Sequence, residues 1–579
     1  MSAKQSEYGQ RLAVFLGAAF LFLPWGGQVP LFDWDEINFA ESAREMLITG
    51  DFFRVTVNFE PFWEKPPLFI WLQALSMYIF GVGEMAARLP NALASMATLT
   101  FIHYIGSKHM STRVGMAWVW AYLASIFPHF YFNTGLIDPV FNLFIFIGVY
   151  HLFRGLSPYR PGKNLRFFLI AGVFTGLAIL TKGPVALLLS LLVFVFFLVF
   201  HSNQIRLNNV LQLFVYLITT GAIATLWFLP EWIANGPWFI KEFVLYQIQL
   251  ASQDVAGHAQ PFYYHALVLL AGCFPASVLA LTRIAKPDSH NVAQKQFIRL
   301  MQILFWVVLI VFSSVKTKIV HYSSLCWLPL TFFAAHTYTR LTQSYSSSMP
   351  RWNLFLFILL SLVWFVVLSL IPLIIHFDSL KSYLISHIQD PFVVANLRAP
   401  VQGNGWEWIL PCFLLVVLGL SVFWIATKRY RKGFKLLALG LTLFIPIYSV
   451  WVVPKAERFI QGTLIDFYKE LSGRDVYIKT MEKSYAPYFY AQVTPLDSSD
   501  GWWIAKNEWL ESQGLQTHLS AEQRRELNRF QIRWLLEGPI DKDAYLVIKT
   551  HKLRKMPELY ELEKVHEMGG YSVFKRPAQ

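Results

Sequence analysis

The stretch RLAVFLGAAFLFLPWGGQVPLFDWDE, residues 11–36, joins an apolar run directly to a group of acids. The run reaches the roughly 20 residues that a helix needs to cross the hydrocarbon core of a bilayer. One arginine precedes it and three acids follow it, which by the positive-inside rule places the N-terminus in the cytoplasm. No small-residue cleavage site follows, and many further apolar stretches come later, so this stretch predicts an uncleaved first membrane anchor rather than a signal peptide.

The composition of the whole chain agrees with a membrane solvent. Of 579 residues, 55% are hydrophobic and only 15% are charged, against about a quarter charged in soluble domains. The aromatic share is 17% and the mean hydropathy is +0.43. Cys273, Cys326 and Cys412 each lie in an apolar stretch without metal-ligand or redox spacing, which predicts small buried hydrophobic side chains.

About thirteen segments are apolar enough to be predicted membrane spans. They lie near 11–31, 86–106, 114–129, 137–153, 167–181, 184–200, 210–230, 264–282, 300–315, 319–336, 353–376, 408–426 and 436–453. Basic residues fall in every second loop, and the first outer loop is rich in acids. This alternation also accounts for the net charge of +13, so no nucleic-acid partner is expected.

Three segments outside the spans complete the predicted architecture. The first outer segment, residues 32–85, predicts a surface-lying amphipathic helix at 39–47, with Glu41, Arg44 and Glu45 on its polar face, and a second helix at 68–80. Residues 231–263 are expected to form an outer loop. The tail, residues 454–579, contains short alternating runs that predict strands and a capping box at Ser520 and Gln523. The predicted fold is an α-helical polytopic membrane domain, residues 1–453, followed by a small α+β domain on the outer face.

Acids at the outer edge of the spans are the first candidates for chemistry, because ionisable groups there are costly to desolvate. Asp35, with Glu36 beside it, follows the first span, and Asp138 precedes Pro139 at the outer start of another. Capping of a helix would explain Asp35 and Asp138 equally well.

Cations on the same side form the second group of candidates. Glu64 and Lys65 precede a Pro-Pro pair that fixes an extended turn, and this arrangement suits a phosphate or a metal, or an internal ion pair. Lys182 lies at a break between two spans, where snorkelling to the interface is the alternative. Lys316 and Lys318 lie on the outer side against the positive-inside trend, which predicts a bound anion.

A histidine pair and several missing motifs refine the expected site. His258 and His265 lie on the side that bears the acids, which favours a metal ligand over a structural histidine. Walker, Gly-rich dinucleotide and Gly-x-Ser-x-Gly sequence motifs are absent. A site outside the cytoplasm would have no nucleotide sugar available, whereas a donor carried by the lipid would solve that problem.

Six motifs occur in an order that resembles the ArnT-like lipid A aminoarabinose transferases, within the dolichyl-phosphate-mannose protein mannosyltransferase superfamily of GT-C fold. They are Asp35-Glu36, Arg44-Glu45-Met46, Glu64-Lys65-Pro66-Pro67, Ala87-Arg88-Leu89-Pro90, Thr181-Lys182-Gly183-Pro184, and Lys316-Thr-Lys318 with Tyr322. The resemblance runs from about residue 30 to 340. It implies a monomeric enzyme of the bacterial inner membrane that moves a sugar from undecaprenyl phosphate to a lipid or other glycan acceptor of the envelope, such as lipopolysaccharide, at the periplasmic face.

The resemblance also implies roles for single residues. Asp35 matches the acid that activates the acceptor, and Asp138 matches a second acid in the cavity. Lys65 and Tyr322 match ligands of the donor phosphate. Glu64 and His258, chosen over His265 for its spacing to Pro261, match residues that share a divalent metal such as zinc. Displacement of lipid phosphate needs cations on the leaving group, from Lys65, Lys182, Lys316 or Lys318, and is expected to invert the anomeric centre.

Two alternatives remain open from the sequence. A protein O-glycosyltransferase would share the fold, although the His-Pro pair of the protein mannosyltransferases is absent and Glu64-Lys65 stands in its place. A flippase or transporter of lipid-linked sugars would share the spans and the anion site, but should contain inverted repeats or broken helices near the midplane, which the sequence does not suggest.

Overall fold

The structure of the protein is a computed structural model that describes residues 3–156, 165–200, 207–254, 257–284, 291–343, 348–515 and 519–578. Five charges used to predict the topology lie outside these ranges: Arg160, Lys163, Arg206, Lys286 and Asp288.

The first half of the chain is helical apart from one short hairpin. Its helices are α1 Ala3–Phe22, α2 Asp35–Thr49, α3 Leu68–Phe80, α4 Glu84–His109, α5 Thr112–Leu123, α6 Ile126–Tyr131, α7 Asp138–Gly155, α8 Leu165–Lys182, α9 Val185–Val199, α10 Leu207–Asn235, α11 Trp238–Ser252, α12 Tyr264–Gly272 and α13 Ala276–Ala280. Strands β1 (Thr56–Val57) and β2 (Glu60–Pro61) pair antiparallel between α2 and α3.

The second half continues the bundle and then adds a sheet. Its helices are α14 Val292–Ser314, α15 Trp327–Gln343, α16 Arg351–His376, α17 Asp378–His387, α18 Pro391–Leu397, α19 Ile409–Ala426, α20 Tyr430–Trp451, α21 Val453–Glu457, α22 Thr463–Glu470, α23 Ala486–Tyr490, α24 Gly501–Ser512 and α25 Ala521–Glu537. The strands are β3 Tyr477–Thr480, β4 Ala544–Lys549, β5 Glu563–Met568 and β6 Tyr571–Arg576. A 3-10 turn at Val320–Cys326 leads into α15.

A helix lies at every predicted span, but the helices differ in length. By length and composition, 6 of the described helices could cross a membrane: Leu165–Lys182, Leu211–Asn235, Val292–Ser314, Arg351–His376, Trp406–Ala426 and Tyr430–Trp451. The predicted span at 114–129 is divided into α5 and α6, and that at 264–282 into α12 and α13 with Pro275 at the break. The number of thirteen crossings therefore stays a prediction.

Small residues allow the central helices of the bundle to pack closely. A Cβ atom on Gly172 of α8 would lie 2.7 Å from Thr219 Cβ of α10, and one on Gly176 would lie 2.6 Å from Ile223 Cβ. Glycine at the two positions lets α8 and α10 approach at a distance that larger side chains would prevent.

The first outer segment departs from the prediction in one respect. Helix α3 occupies 68–80 as predicted, but α2 does not lie on a surface, because all of its residues from Glu36 to Met46 are buried. Its polar side chains face the tail: Arg44 binds Glu41 at 2.7 Å and donates to the carbonyl of Val493 at 2.6 Å. The polar face of α2 was predicted to lie at a surface, but the tail covers it.

The segment 231–263 is also more ordered than a loop, since it contains α11. Pro237 precedes the first residue of this helix, and the helix ends at Ser252. The prediction of an outer loop was therefore wrong in its secondary structure.

The tail forms a four-stranded sheet in the order β3-β4-β6-β5, with β3 parallel to β4 and the other pairs antiparallel. The predicted strands at 476–478, 545–548 and 571–574 and the capping box are confirmed. The runs at 488–490 and 502–504 are instead helical, in α23 and α24. Short aromatic runs do not distinguish strand from helix by periodicity, which explains the two errors.

The tail packs against the first outer segment rather than standing apart. Tyr545, Val547 and Val573 of its sheet lie in one buried hydrophobic cluster with Ile37 and Phe39 of α2. Independent folding of residues 454–579 as a domain stays a prediction.

Candidate active site

Four side chains from distant parts of the sequence meet at one end of the bundle: Asp35, Asp138, Lys182 and His321, here called the central cluster. Asp35 and Asp138 are the first residues of α2 and α7, Lys182 is the last residue of α8, and His321 lies in the 3-10 turn before α15. Each therefore lies at an element end, where the local backbone directs it out of the helical packing.

The motif Thr181-Lys182-Gly183-Pro184 positions the lysine by ending a helix. Gly183 has a φ of +106°, and a Cβ atom there would lie 2.7 Å from Phe243 Cζ, so the position requires glycine. Helix α9 begins directly after Pro184. Lys182 is thereby held at the carboxyl end of α8, where a cation is favoured.

Lys182 and Asp138 form the tightest contact of the central cluster. Lys182 Nζ lies 2.6 Å from Asp138 Oδ1, and the two side chains are only 11% and 3% exposed. Lys182 Nζ also lies 4.9 Å from the centre of the Tyr322 ring. This cation is therefore neutralised by a buried acid, and the interpretation of Lys182 as a residue that snorkels to water does not fit its burial.

His321 lies between the two acids. Its Nε2 atom is 3.7 Å from Asp35 Oδ2 and 3.7 Å from Asp138 Oδ2. Asp138 Oδ2 is buried without a hydrogen-bond partner among the described residues. His321 is not among the site residues predicted from the sequence, although it is adjacent to Tyr322.

Asp35 is the accessible acid of the central cluster. Its side chain is 35% exposed, whereas that of Asp138 is 3% exposed. Neither acid caps its helix: the N-cap residues are Trp34 and Ile137, and no side-chain cap hydrogen bond forms at either. The helix-cap alternative is therefore wrong for both, and Asp35 is the carboxylate that an incoming hydroxyl group can reach.

The backbone before Asp35 is strained. Trp34 has a φ of +83°, a conformation that non-glycine residues rarely adopt and that concentrates at functional sites. Asp33 Oδ1 accepts hydrogen bonds from the backbone N–H groups of Trp34 and Tyr485. The tail thus helps to hold the turn that presents Asp35.

Glu36, although adjacent in sequence, has a different environment. It is buried and binds the Arg88 guanidinium through both oxygens, at 2.8 and 3.1 Å. It also accepts hydrogen bonds from the backbone N–H groups of Phe32 and Gly135. These partners favour a structural role for Glu36 over the predicted catalytic one.

A second group of side chains surrounds Glu64 and Lys65. The Tyr246 hydroxyl donates to Glu64 Oε2 at 3.1 Å, and Lys65 Nζ lies 5.8 Å from the centre of the same ring. Lys483 Nζ, from the tail, is 4.0 Å from Glu64 Oε1. In the described ranges Lys65 has no carboxylate within ion-pair distance, so its charge is available to an anion.

Two tyrosines connect this group with the central cluster. Burial raises the pKa of Tyr246, and the negative charges of Glu64 and Asp35 raise it further. The same causes, burial and then the charges of Glu64 and Asp35, raise the pKa of Tyr485. Both hydroxyls stay protonated at neutral pH. The Tyr246 hydroxyl donates to Glu64, and the Tyr485 hydroxyl can donate a hydrogen bond to an anion.

Lys316 and Lys318 do not join these groups. Lys318 is buried and donates from Nζ to the carbonyl of Gln260 at 2.8 Å, while its backbone N–H donates to His258 O at 2.9 Å. Lys316 is exposed. Lys318 therefore joins two backbone segments, and the role of Lys316 and Lys318 as phosphate ligands stays a prediction.

The surroundings of Glu64 and of the histidine pair show how these side chains are held. Glu64 is held by Tyr246, and His265 Nδ1 lies 3.1 Å from Ser323 Oγ. Within the ranges that the structure describes, no three His, Cys, Asp or Glu side chains are grouped to hold a metal ion. A divalent metal held by Glu64 and His258 stays a prediction.

The tail supplies residues that sequence reasoning missed. Lys483 Nζ lies 5.0 Å from the centre of the Trp34 ring and 5.4 Å from that of Tyr485. Lys483 and Tyr485 follow Asp35 by more than 400 positions, and no local sequence pattern identifies them as site residues. The fold and site together define a polytopic membrane protein with clustered acidic and basic side chains at one end of its bundle.

Sequence comparison shows which known proteins the chain is similar to. Residues 64–233 match the model of the dolichyl-phosphate-mannose-protein mannosyltransferase family. The chain is 28% identical over 333 residues to an undecaprenyl phosphate-alpha-4-amino-4-deoxy-L-arabinose arabinosyl transferase of Shewanella sediminis, over 56% of this chain and 59% of the relative. It is 24% identical to a protein of the same name from Photorhabdus laumondii, over 71% of this chain and 74% of that relative.

Solved structures support the fold. The crystal structure of ArnT from Cupriavidus metallidurans bound to undecaprenyl phosphate aligns with a TM-score of 0.71 and 17% identity, over 99% of this chain and 98% of that one. The resemblance inferred from the motifs is therefore confirmed: the chain is similar in sequence to the arabinosyl transferases and has the fold of ArnT.

Proposed function

We propose that the protein is a glycosyltransferase that moves a sugar, of the aminoarabinose class, from a polyprenyl-phosphate donor to a lipid or glycan acceptor of the bacterial envelope. The observation that carries this proposal is that an accessible carboxylate, Asp35, and a cation, Lys65, both lie near Tyr246, and that Lys65 forms no ion pair within the described ranges. The names of the relatives support the donor and the sugar class.

The reaction requires a base for the acceptor hydroxyl on one side of the anomeric carbon and stabilisation of the leaving phosphate on the other. Asp35 takes the proton of the acceptor hydroxyl while the oxygen of that hydroxyl attacks the anomeric carbon. As the new bond forms, the bond from the anomeric carbon to the phosphate oxygen breaks. The lipid phosphate leaves with the electron pair and is stabilised by Lys65 and by a hydrogen bond from the Tyr485 hydroxyl. His321 and the Lys182–Asp138 pair orient Asp35 and keep the net charge of the central cluster low. A direct displacement of this kind inverts the anomeric centre.

Transfer in a defined system tests the proposal. Purified protein in liposomes, supplied with a synthetic polyprenyl-phosphate aminoarabinose and lipid A, should form a lipid A product of increased mass. Mass spectrometry of envelope lipids and glycoproteins from cells with and without the gene identifies the acceptor. Absence of any sugar transfer in both assays would refute the proposed function.

The two alternatives are not favoured. The matched relatives are named as transferases rather than transporters, and they are named for an arabinosyl donor rather than for transfer to protein. Appearance of the sugar on proteins alone would reverse this preference.

The protein is proposed to act as a monomer in the bacterial inner membrane, with its site at the periplasmic face. All residues of the central cluster come from one chain, so one copy carries a complete site. A reporter fused after Gln579 should be active only if it is of the type that requires the periplasm, and cytoplasmic activity would contradict the topology.

A further inference from the structure

A large cavity lies away from the central cluster, between α5, α13, α15 and α20. Its volume is about 740 Å³. This volume is within the range of about 300–1,000 Å³ that is typical of ligand sites. The proposed transferase reaction uses none of its lining residues.

The cavity lies at the opposite end of the bundle from the proposed chemistry. The first turns of α4 carry Arg88, which binds Glu36, and the 26 residues of this helix span about 39 Å before the chain turns at Thr112. Thr112 and Arg113 line the cavity. Helix α15 likewise begins beside the turn that carries His321 and ends at Gln343, which also lines it. This is the end that the charge pattern predicts to be cytoplasmic.

The walls of the cavity are apolar and its rim is cationic. Small and aliphatic side chains form the walls, among them Met116, Leu279, Ala335 and Ala438. Three exposed cations lie at the rim: Arg113, Arg431 and Lys435. No carboxylate within the described ranges forms an ion pair with any of the three, so their charges are uncompensated by the protein there.

Helix geometry adds to the positive potential at the rim. Arg113 lies in the first turn of α5 and Arg431 in the first turn of α20. The amino end of a helix carries a partial positive charge that favours anions. The amino ends of α5 and α20 therefore act in the same direction as the cations, whereas α15 contributes its carboxyl end at Gln343.

We propose that this cavity binds an anionic phospholipid of the inner leaflet, with its phosphodiester headgroup at Arg113, Arg431 and Lys435 and an acyl chain along the apolar walls. The headgroup and the chain match the two halves of the cavity, and basic pockets between membrane helices on the cytoplasmic side are typical sites for such lipids. A soluble phosphate would use the cations but leave the apolar walls exposed to water. The lipid links the ends of α5, α15 and α20 to the bilayer.

Native mass spectrometry of the full-length protein in detergent tests the site. Phosphatidylglycerol should bind about tenfold more tightly than phosphatidylethanolamine, because cations near the headgroup each favour an anionic lipid. The triple variant Arg113→Gln/Arg431→Gln/Lys435→Gln should lose this preference. The variant Ala438→Phe, which fills the cavity without altering its charge, should lose binding of phosphatidylglycerol itself.

A matched triple variant controls for general surface charge. Lys428→Gln/Lys432→Gln/Arg351→Gln removes three exposed cations from the same end of the bundle without altering the cavity lining, and should keep the preference. Equal loss in both triple variants, unchanged binding in Ala438→Phe, or full competition by glycerol 1-phosphate would each overturn the proposal. The last result would indicate a soluble phosphate ligand instead of a lipid.

Discussion

Helix α2 carries acids in two contrasting environments. At its start, the Asp35 side chain is partly exposed, and its Oδ2 atom lies 3.7 Å from His321 Nε2. Further along, Glu41 is fully buried and binds Arg44 through both oxygens, at 2.7 and 2.8 Å. Acids on one helix thus differ in whether the protein already supplies an ion-pair partner for the carboxylate.

The difference separates carboxylates that are available to a substrate from those that stabilise the fold. A satisfied buried carboxylate has no capacity left for a substrate, and breaking its ion pair exposes an uncompensated charge to a low-dielectric environment. An unsatisfied carboxylate at the edge of a cavity can accept a proton or a hydrogen bond. Substitutions along α2 and around it should therefore divide into those that alter turnover and those that alter stability.

Removal of the charge of Asp35 should have the largest effect. Asp35→Asn should reduce transfer by about 10²–10⁴-fold, the usual contribution of a general base, with little effect on folding because Asp35 forms no cap hydrogen bond. Single-turnover transfer in liposomes measures the effect. The matched control Glu60→Gln, at an exposed acid paired with Lys506, should turn over normally. A near-normal transfer rate in Asp35→Asn would show that Asp35 is not the base, and Asp138 would then be the candidate.

Loss of Arg88 should mainly lower the free energy of unfolding and should affect the rate of transfer less directly. Arg88→Met leaves Glu36 buried without a counter-charge, which costs roughly 3–5 kcal/mol. Denaturant titration of the detergent-solubilised protein measures the free energy of unfolding. Lys469→Met, which breaks an exposed pair with Glu84, should change it by less than about 1 kcal/mol. An equal effect of both variants would contradict the structural role of Glu36.

Glu45 should make stability depend on pH. Burial, followed by the charge of Glu41, raises the pKa of Glu45 to about 8 in the folded protein, above its value of 4.5 in the unfolded chain. The unfolded chain therefore releases this proton first, and stability falls as the pH rises from about 4.5 to about 8, by roughly 3 kcal/mol between pH 5 and pH 8.

The variant Glu45→Gln should remove this part of the pH dependence, as measured by denaturant titration at pH 5 and pH 8. Glu470→Gln, at an exposed acid, should keep it. A wild-type protein that is more stable at pH 8 than Glu45→Gln would show that Glu45 is ionised in the folded state.

His321 should act as a positioning residue with a moderate effect. His321→Gln removes the ring between two acids, which should reduce turnover by about 10- to 100-fold through loss of one buried polar partner. The effect should fall on kcat and leave KM for the donor nearly unchanged, because His321 contacts the two acids. A free energy of unfolding that falls in His321→Gln together with kcat would indicate a packing role only.

Lys483 should have the smallest effect. Its ammonium is half exposed and lies 4.0 Å from Glu64, so Lys483→Gln should raise KM by a few-fold at most and leave kcat unchanged. Steady-state kinetics measures both constants. Lys564→Gln, elsewhere on the tail, is the matched control and should leave both unchanged. A fall in kcat would bring Lys483 into the chemical step.

Much of the fold follows from local patterns in the sequence. The bounds of α3 and the capping box at Ser520 and Gln523 agree with prediction, because helical periodicity and cap chemistry depend on neighbouring residues. The length of the individual helices was less predictable. A bend at Pro275 and a 3-10 turn at Val320–Cys326 divide or shorten segments whose hydropathy is continuous.

The sequence by itself determined that the chain is a helical membrane protein, which ends of its helices carry acids and cations, and which family it resembles. Those properties depend on hydropathy, charge and short motifs. Only the tertiary structure decided that Asp35 is accessible while Glu36 is bound by Arg88, that His321 joins Asp35 to Asp138, and that Lys483 approaches Glu64. The reason is physical: the exposure and ionisation of a carboxylate depend on groups that are distant in sequence, and these meet only when the bundle and the tail pack together.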